Sequence, residues 1–301
     1  MTAKTFLFTA LTLTLAGYLF VFIRGVLAAR RPVAPTAPQL GIGFVTNFFD
    51  TLGIGSFATT TAFYKLRNMV PVKLIPGTLN VGHALPTILQ AFIYTRIVPV
   101  DSMTLVLMIA AAVIGSWLGA GVVVKWPRRK IQIGMGLALF GAASLMLMQQ
   151  LQLIPGGGDA LALTDGRLLV GLAGNFVLGM LMMLGIGLYA PCMILIYLLG
   201  MRPTAAFPIM MGSCAFLMPV SSVRFVKERS FHAQSALGLA IGGLPAVLIA
   251  AFLVRSLPLS AVRWLVVAVV VYTAANMLMT AKGEEAERIG APKRGALQPD
   301  L

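Results

Sequence analysis

Leu52-Gly53-Ile54-Gly55 returns 132 residues later as Leu184-Gly185-Ile186-Gly187. Four further landmarks recur at the same spacing: Phe44 with Phe176, Pro71 with Pro203, Pro76 with Pro208, and Ala142-Ala143 with Ala274-Ala275. Coincidences at a single offset point to a duplicated chain, with copies over 39–153 and 167–283. Residues 1–38 then hold one extra N-terminal helix and a linker. Residues 154–166, with Gly156-Gly157-Gly158, join the copies, and the charged end over 284–301 reads as a mobile tail. A helix cannot run through Gly-x-Gly at full strength, since each Gly costs about 1 kcal/mol, and a following Pro such as Pro191 costs about 3 kcal/mol.

The surroundings of these breaks are apolar. Of 301 residues, 58% are apolar and 11% charged, against about 25% charged in soluble domains. That shortage excludes a disordered chain and a solvated enzyme fold. Charge-free stretches cover 5–23, 74–95, 102–124, 131–158, 168–201, 203–223, 230–254 and 264–281. Each meets or approaches the roughly 20 residues that cross about 30 Å of hydrocarbon. The first reads as a retained helix and not a cleaved leader, because Lys4 is its only preceding charge and no small-x-small site precedes Arg30-Arg31. Cys192 and Cys214 lie in apolar segments and make no disulfide framework. Broken backbone survives at membrane depth only inside protein or beside a water-filled cavity, so 39–66 and 167–201 are the candidate sites.

The basic residues choose the topology. The chain carries 23 Lys and Arg and 9 Asp and Glu, a net +14 that in a soluble protein would suggest nucleic acid. If all nine hydrophobic regions cross, twelve basic residues fall inside and eleven outside. If 39–66 and 167–201 dip in and return, only Lys4, Arg96, Arg167, Arg202, Arg255 and Arg263 lie outside, and the other seventeen lie inside. The positive-inside rule selects the second arrangement. Each copy becomes a re-entrant hairpin plus three crossings, an odd number, so the second copy is inserted upside down. The expected fold is an all-α polytopic membrane protein built as an inverted repeat after one extra N-terminal helix. The expected location is a bacterial-type inner membrane, N-terminus outside and C-terminus cytoplasmic. Inverted repeats with interrupted helices are a recurring plan of secondary transporters, with the site near the midplane.

Two half-helices restarting at mid-membrane would each present free amides and a partial positive charge. Facing each other, they form an anion site with no buried Lys or Arg. Gly53, Gly55, Ser56 and Thr59 in the first break and Gly185 and Gly187 in the second are therefore candidate substrate residues. Ser56 or Thr59 is expected to cap the second arm of the first hairpin, and Pro191 to begin that of the second. Thr78 and Asn80, with Ser213 in the other copy, offer further hydrogen bonds if Pro76 and Pro208 unwind the following helices. Asp50 is the only acidic residue in a membrane segment. An intramembrane acid is costly and marks function by default. Removal from water disfavours the carboxylate, so Asp50 is the candidate proton carrier, with His83 as a candidate relay. The plain alternative is a neutral carboxyl bonded to Asn47 or a backbone group that fixes the hairpin. The methionines read as lipid-facing or sliding surface, and no metal or cofactor is expected.

At these residues the sequence resembles the TauE/SafE sulfite exporter family, membrane permeases for sulfite, sulfonates and related sulfur-containing organic anions. Phe48-Phe49-Asp50-Thr51-Leu52-Gly53-Ile54-Gly55 and Gly77-Thr78-Leu79-Asn80 are similar to the family's first copy. Gly185-Ile186-Gly187-Leu188-Tyr189-Ala190-Pro191 and Met211-Gly212-Ser213 are similar to its second. Ser56-Phe57 follow Gly55 where the family pattern continues with glycines and a proline, which adds bulk to the pocket. The resemblance implies permeation of a small anion, with export or import undecided. The expected partners are that solute, protons and membrane lipid, with no nucleic acid and the oligomeric state open. The competing expectations are a passive anion channel, a membrane assembly subunit, or an intramembrane serine hydrolase using Ser56 and His83.

Overall fold

The offset that aligns the motifs also aligns the helices. The computed structural model describes residues 3–29, 33–153, 158–185 and 187–253, with positions 271, 274, 275, 278 and 279. After α1 (Ala3–Leu27), the first copy runs through α2 (Ala37–Thr51), α3 (Phe57–Leu66), a 3-10 turn at Val72–Leu74, α4 (Ile75–Ile97), α5 (Ser102–Val123) and α6 (Arg128–Gln150). The second runs through α7 (Asp165–Met182), α8 (Tyr189–Leu198), a 3-10 turn at Pro203–Ala205, α9 (Ala206–Lys227) and α10 (Ala233–Leu253). Helix α8 is α3 displaced by 132 residues at both ends. The expected crossing at 264–281 lies almost wholly outside the described residues, as do Gly156, Gly157, Arg255, Arg263 and the tail at 284–301. Among the described residues there is no strand, only an isolated bridge between Ala160 and Met201.

Glycine sets the breaks. Gly53 has φ +86° and Gly185 φ +89°, a region that residues with a Cβ rarely enter. Their amides close the same turn: Gly53 N–H donates to Asp50 O and Gly185 N–H to Met182 O, both at 2.9 Å. After each turn the chain comes back. Phe63, Arg67 and Met69, at the end of α3, share a groove with Pro38, Gly41 and Ile42 at the start of α2. In the second copy, Gly171 near the start of α7 lies against Leu199 beyond the end of α8, and Gly200 faces Arg167. At 15 and 18 residues, α2 and α7 measure about 22 and 27 Å, and the 10-residue α3 and α8 about 15 Å. Both pairs are hairpins.

The hairpins enter from opposite ends. Helix α4 has 23 residues, about 34 Å. At its start, Thr78 Oγ1 accepts from His232 N–H at 2.9 Å, beside the first hairpin's base. Just beyond its end, Asp101 N–H donates to Leu161 O at 2.9 Å, and Leu163 N–H donates to Thr104 Oγ1 at 3.0 Å. Residues 158–163 form the base of the second hairpin, where Gly158 N–H reaches Met201 O and Ala160 O accepts from Arg202 N–H.

Packing repeats under exchange of the copies. α2 packs on α10 and its counterpart α7 on α5, while α4 and α9 pack together at the centre. Asn47 Nδ2 donates to Gly43 O at 2.7 Å and lies 3.5 Å from Leu239 O on α10. Asn175 Nδ2 donates to Met108 O on α5 at 2.7 Å. Close approach needs small residues: a Cβ at Gly179 would stand 2.2 Å from Ala112 O, and one at Gly43 2.5 Å from Gly238 O.

Polarity is reversed relative to a soluble protein. Asn47, Asp50, Thr60, Asn80, His83, Gln90 and Asn175 are buried, whereas Leu13, Phe20, Ile114, Leu169, Leu248 and Phe252 are exposed. Within lipid, polar groups must be satisfied internally and the outer face must be apolar. Five helices among the described residues are long and apolar enough to cross a membrane: α1, α5, α7, α9 and α10. The protein is an all-α polytopic membrane protein.

One local expectation fails. Pro76 and Pro208 do not unwind their helices: α4 and α9 run continuously, with both prolines in their first turns. The first turn has amides without intrahelical partners, so a missing N–H costs nothing there. Pro191 likewise sits in the first turn of α8.

Candidate functional site

The two breaks meet. A narrow cavity of about 10 Å³ lies between them, lined by Asp50, Gly55, Ser56, Phe57 and Thr87 from the first copy. Met182, Gly187, Leu188, Tyr189, Cys214 and Met218 of the second copy close it. That is room for about one water. Helices α3 and α8 both begin on its wall, since Ser56-Phe57 and Leu188-Tyr189 line it.

Asp50 is buried at the end of α2. Gln90 Nε2, on α4, donates to Asp50 Oδ2 at 2.9 Å and to Thr51 Oγ1 at 3.0 Å. Thr51 Oγ1 donates in turn to Asn47 O at 2.8 Å. The Gln90 Oε1 accepts from the Tyr189 hydroxyl at 2.6 Å, and this bond crosses from one copy to the other. Ser56 turns its hydroxyl and its amide to the same carboxyl. Tyr94 OH donates to Thr51 O at 2.9 Å. Among the described residues, no Lys or Arg lines the cavity.

His83 heads a separate chain. Its Nδ1 lies 3.0 Å from Asn47 Oδ1 and its Nε2 3.0 Å from Thr60 Oγ1. Because Asn47 Nδ2 is committed to Gly43 O, Asn47 Oδ1 accepts, and this hydrogen-bond network assigns the ring proton to Nδ1. Nε2 then accepts from Thr60. Both ring nitrogens are engaged, so His83 is no base for Ser56 and the serine dyad is not assembled. Asn47 serves His83 and the backbone, and the Asp50 carboxyl takes Gln90, Tyr189 and the hydroxyl and amide of Ser56 as its partners instead.

The other expected site residues divide. Gly55, Ser56 and Gly187 line the cavity, and Gly53 and Gly185 set its turns. Ser56 occupies the N-cap position of α3 without a side-chain cap bond, because its hydroxyl faces Asp50. Thr59 bonds back to Ser56 O at 2.9 Å. Thr78, Asn80 and Ser213 are not brought to the cavity. Thr78 donates to Leu74 O and Asn80 to Pro76 O, while Ser213 accepts from Asn175. Thr78 also accepts from His232 N–H, Asn80 from Ser221 and Ser213 from Asn175, bonds that link separate elements where a loss of partners would leave buried polar groups.

Sequence reasoning missed Gln90, Tyr189, Thr87 and Tyr94. A signal existed: His83, Thr87, Gln90 and Tyr94 stand at spacings of 4, 3 and 4 on α4, a polar stripe along one helical face. The two copies are unequal here. The positions matching Asp50, Ser56 and Gln90 are Met182, Leu188 and Ser222, so the polar wall comes mainly from the first copy and an apolar, sulfur-bearing wall from the second. Cys214 Sγ lies 3.7 Å from Met182 Sδ.

Among curated proteins and solved structures nothing matches this chain. Residues 167–299, which take in the second copy and most of the tail, match the family model described as Sulfite exporter TauE/SafE; with five helices among the described residues fit to cross a membrane, the protein is a polytopic membrane protein whose second copy is similar to that family.

Proposed function

We propose that the protein is a secondary transporter that moves a small sulfur-containing oxyanion, such as sulfite or a sulfonate, together with a proton carried by Asp50. One observation carries this: among the described residues, the cavity between the two broken hairpins holds a single carboxylate, two helix starts and no cationic side chain. The helix starts favour an anion through their amides and dipoles. The ionised carboxylate opposes it by about 4 kcal/mol for two unit charges 4 Å apart at an effective dielectric of 20. Protonating Asp50 removes that repulsion, so anion and proton enter together. A cavity with room for about one water must widen to admit a four-heavy-atom oxyanion, and the pseudo-symmetric hairpins supply arms that open from either end. The seventeen inside basic residues favour an inner-membrane orientation with the C-terminus cytoplasmic.

The test is sulfite flux into proteoliposomes under an imposed pH gradient. Uptake should rise as pH falls on the sulfite side, because acid fills Asp50 before the anion arrives. Asp50→Asn should abolish gradient-driven accumulation while leaving a folded, monodisperse protein. Full retention of coupled uptake in that variant would remove Asp50 from the mechanism.

A further inference from the structure

Both polar atoms of the Gln90 amide have partners. Its two N–H groups go to Asp50 Oδ2 and Thr51 Oγ1, and its oxygen takes the Tyr189 proton. The orientation is forced. Thr51 spends its own proton on Asn47 O, so it cannot donate to Gln90, and an ionised carboxylate can only accept. The amide nitrogen must therefore face Asp50, and the amide oxygen must face the other copy. Asp50, Thr51 and Gln90 are buried, as is Tyr189, the first residue of α8.

We infer that Gln90 is a protonation sensor: its amide turns over when Asp50 takes a proton and thereby signals the state of the first hairpin to the second through Tyr189. This inference rests on the proposed role of Asp50 as the proton carrier. One proton enters, at the Asp50 carboxyl, and no other bond to hydrogen is broken. The new O–H needs an acceptor, and the amide N–H groups in front of it are donors. Rotation of the amide puts Oε1 towards Asp50 and Nε2 towards Tyr189. The Thr51 hydroxyl can turn to donate to the same oxygen. Tyr189 must now accept, and its own proton swings to Thr87, which already interacts with it. The bond between the start of α8 and Gln90 thus reverses direction, and the proton that Tyr189 directed at Gln90 moves to Thr87, one turn away on the same helix α4.

The remaining titratable groups around the carboxyl are Tyr189 on α8, Tyr94 on α4 and Cys214 on α9. Helix α10, which packs along α2, carries no titratable residue. His83, also on α4, is held in its own chain with Asn47 and Thr60. Among the described residues, no fixed charge competes with Asp50 for control of the amide.

Infrared difference spectra of the full-length protein in liposomes, stepped between neutral and acid pH without solute, test the switch directly. The expected result in the wild type is one step in which the carboxyl band of Asp50 and the phenol band of Tyr189 change together. Tyr189→Phe identifies the phenol band and keeps the ring. In Gln90→Met, close in volume, the carboxyl should still titrate while the phenol response shrinks to the part carried by the direct contact of Tyr189 with Asp50. A phenol band that is silent in the wild type, or that follows pH undiminished in Gln90→Met, overturns the inference.

A flux arm separates it from the parent proposal. In Gln90→Met, pH-driven sulfite accumulation should fall about tenfold, equivalent to about 1.4 kcal/mol of lost coupling between the copies. The Tyr189→Phe loss should not add to it, because both residues serve one link. Additive losses would mean a merely structural role. A wild type with no pH-driven accumulation, yet with coupled infrared bands, would overturn proton-driven transport and leave the sensor standing.

Discussion

Tyr189, at the start of α8, donates its hydroxyl proton to Gln90 Oε1 at 2.6 Å, joining the break of one copy to the central helix of the other. Tyr189 is 4% exposed and Gln90 fully buried, so neither can turn to water if the other is lost. Tyr189→Phe leaves a buried amide oxygen without its donor. Unfolding followed in detergent should show a loss of about 1–3 kcal/mol, the cost of an unsatisfied buried group. An unchanged melting curve would mean that water replaces the phenol.

The turns at the two breaks require glycine for conformation. Gly53→Ala and Gly185→Ala should each cost about 1–2 kcal/mol, since both positions have positive φ. At Gly53 the nearest atom to an added Cβ is 3.4 Å away, so the penalty there is backbone strain with little collision. Thermal denaturation of the purified variants measures it, and equal stability to wild type would contradict the turn geometry.

Contact between α5 and α7 requires glycine for space. Gly179→Ala would push a methyl group to 2.2 Å from Ala112 O, a backbone atom that cannot step aside alone. The helices must separate, at about 1–3 kcal/mol for an overpacked interface. Gly141→Ala, with nothing within 4 Å of the added carbon, should be neutral or slightly stabilising. Comparing yield and melting temperature of the two variants checks the packing.

The inverted arrangement predicts which ends share a side. Lys125 lies beyond the end of α5, away from the second hairpin's base, whereas Ala160 lies within that base. In a background lacking Cys192 and Cys214, Lys125→Cys should react with an impermeant thiol reagent only from the cytoplasm. Ala160→Cys should react only from outside. Labelling of both from one side would undo the opposed hairpins.

Much of this was legible in the residues. The Leu-Gly-Ile-Gly pair fixed the 132-residue offset, and the helices α3 and α8 obey it to the residue. Asp50 stood out because it is the single acid among apolar segments. The prolines misled, because Pro76 and Pro208 carry the same letter whether they interrupt a helix or begin one. Thr78, Asn80 and Ser213 misled for a related reason: a buried polar group must find a partner, and sequence does not say whether that partner is a solute or a neighbouring helix.

Composition and periodicity determined the membrane fold, because hydrocarbon imposes length and polarity on any chain that crosses it, and the placement of basic residues gave the expectation of an inverted second copy. Those constraints act on single segments and are written in order along the chain. Which side chains meet at the breaks was decided only by tertiary structure. Gln90 lies 40 residues from Asp50 and 99 from Tyr189, and their convergence depends on the crossing of α2, α4 and α8. Hydrogen bonds of 2.6 to 2.9 Å demand positions fixed to a fraction of an ångström, which packing supplies and a linear pattern cannot.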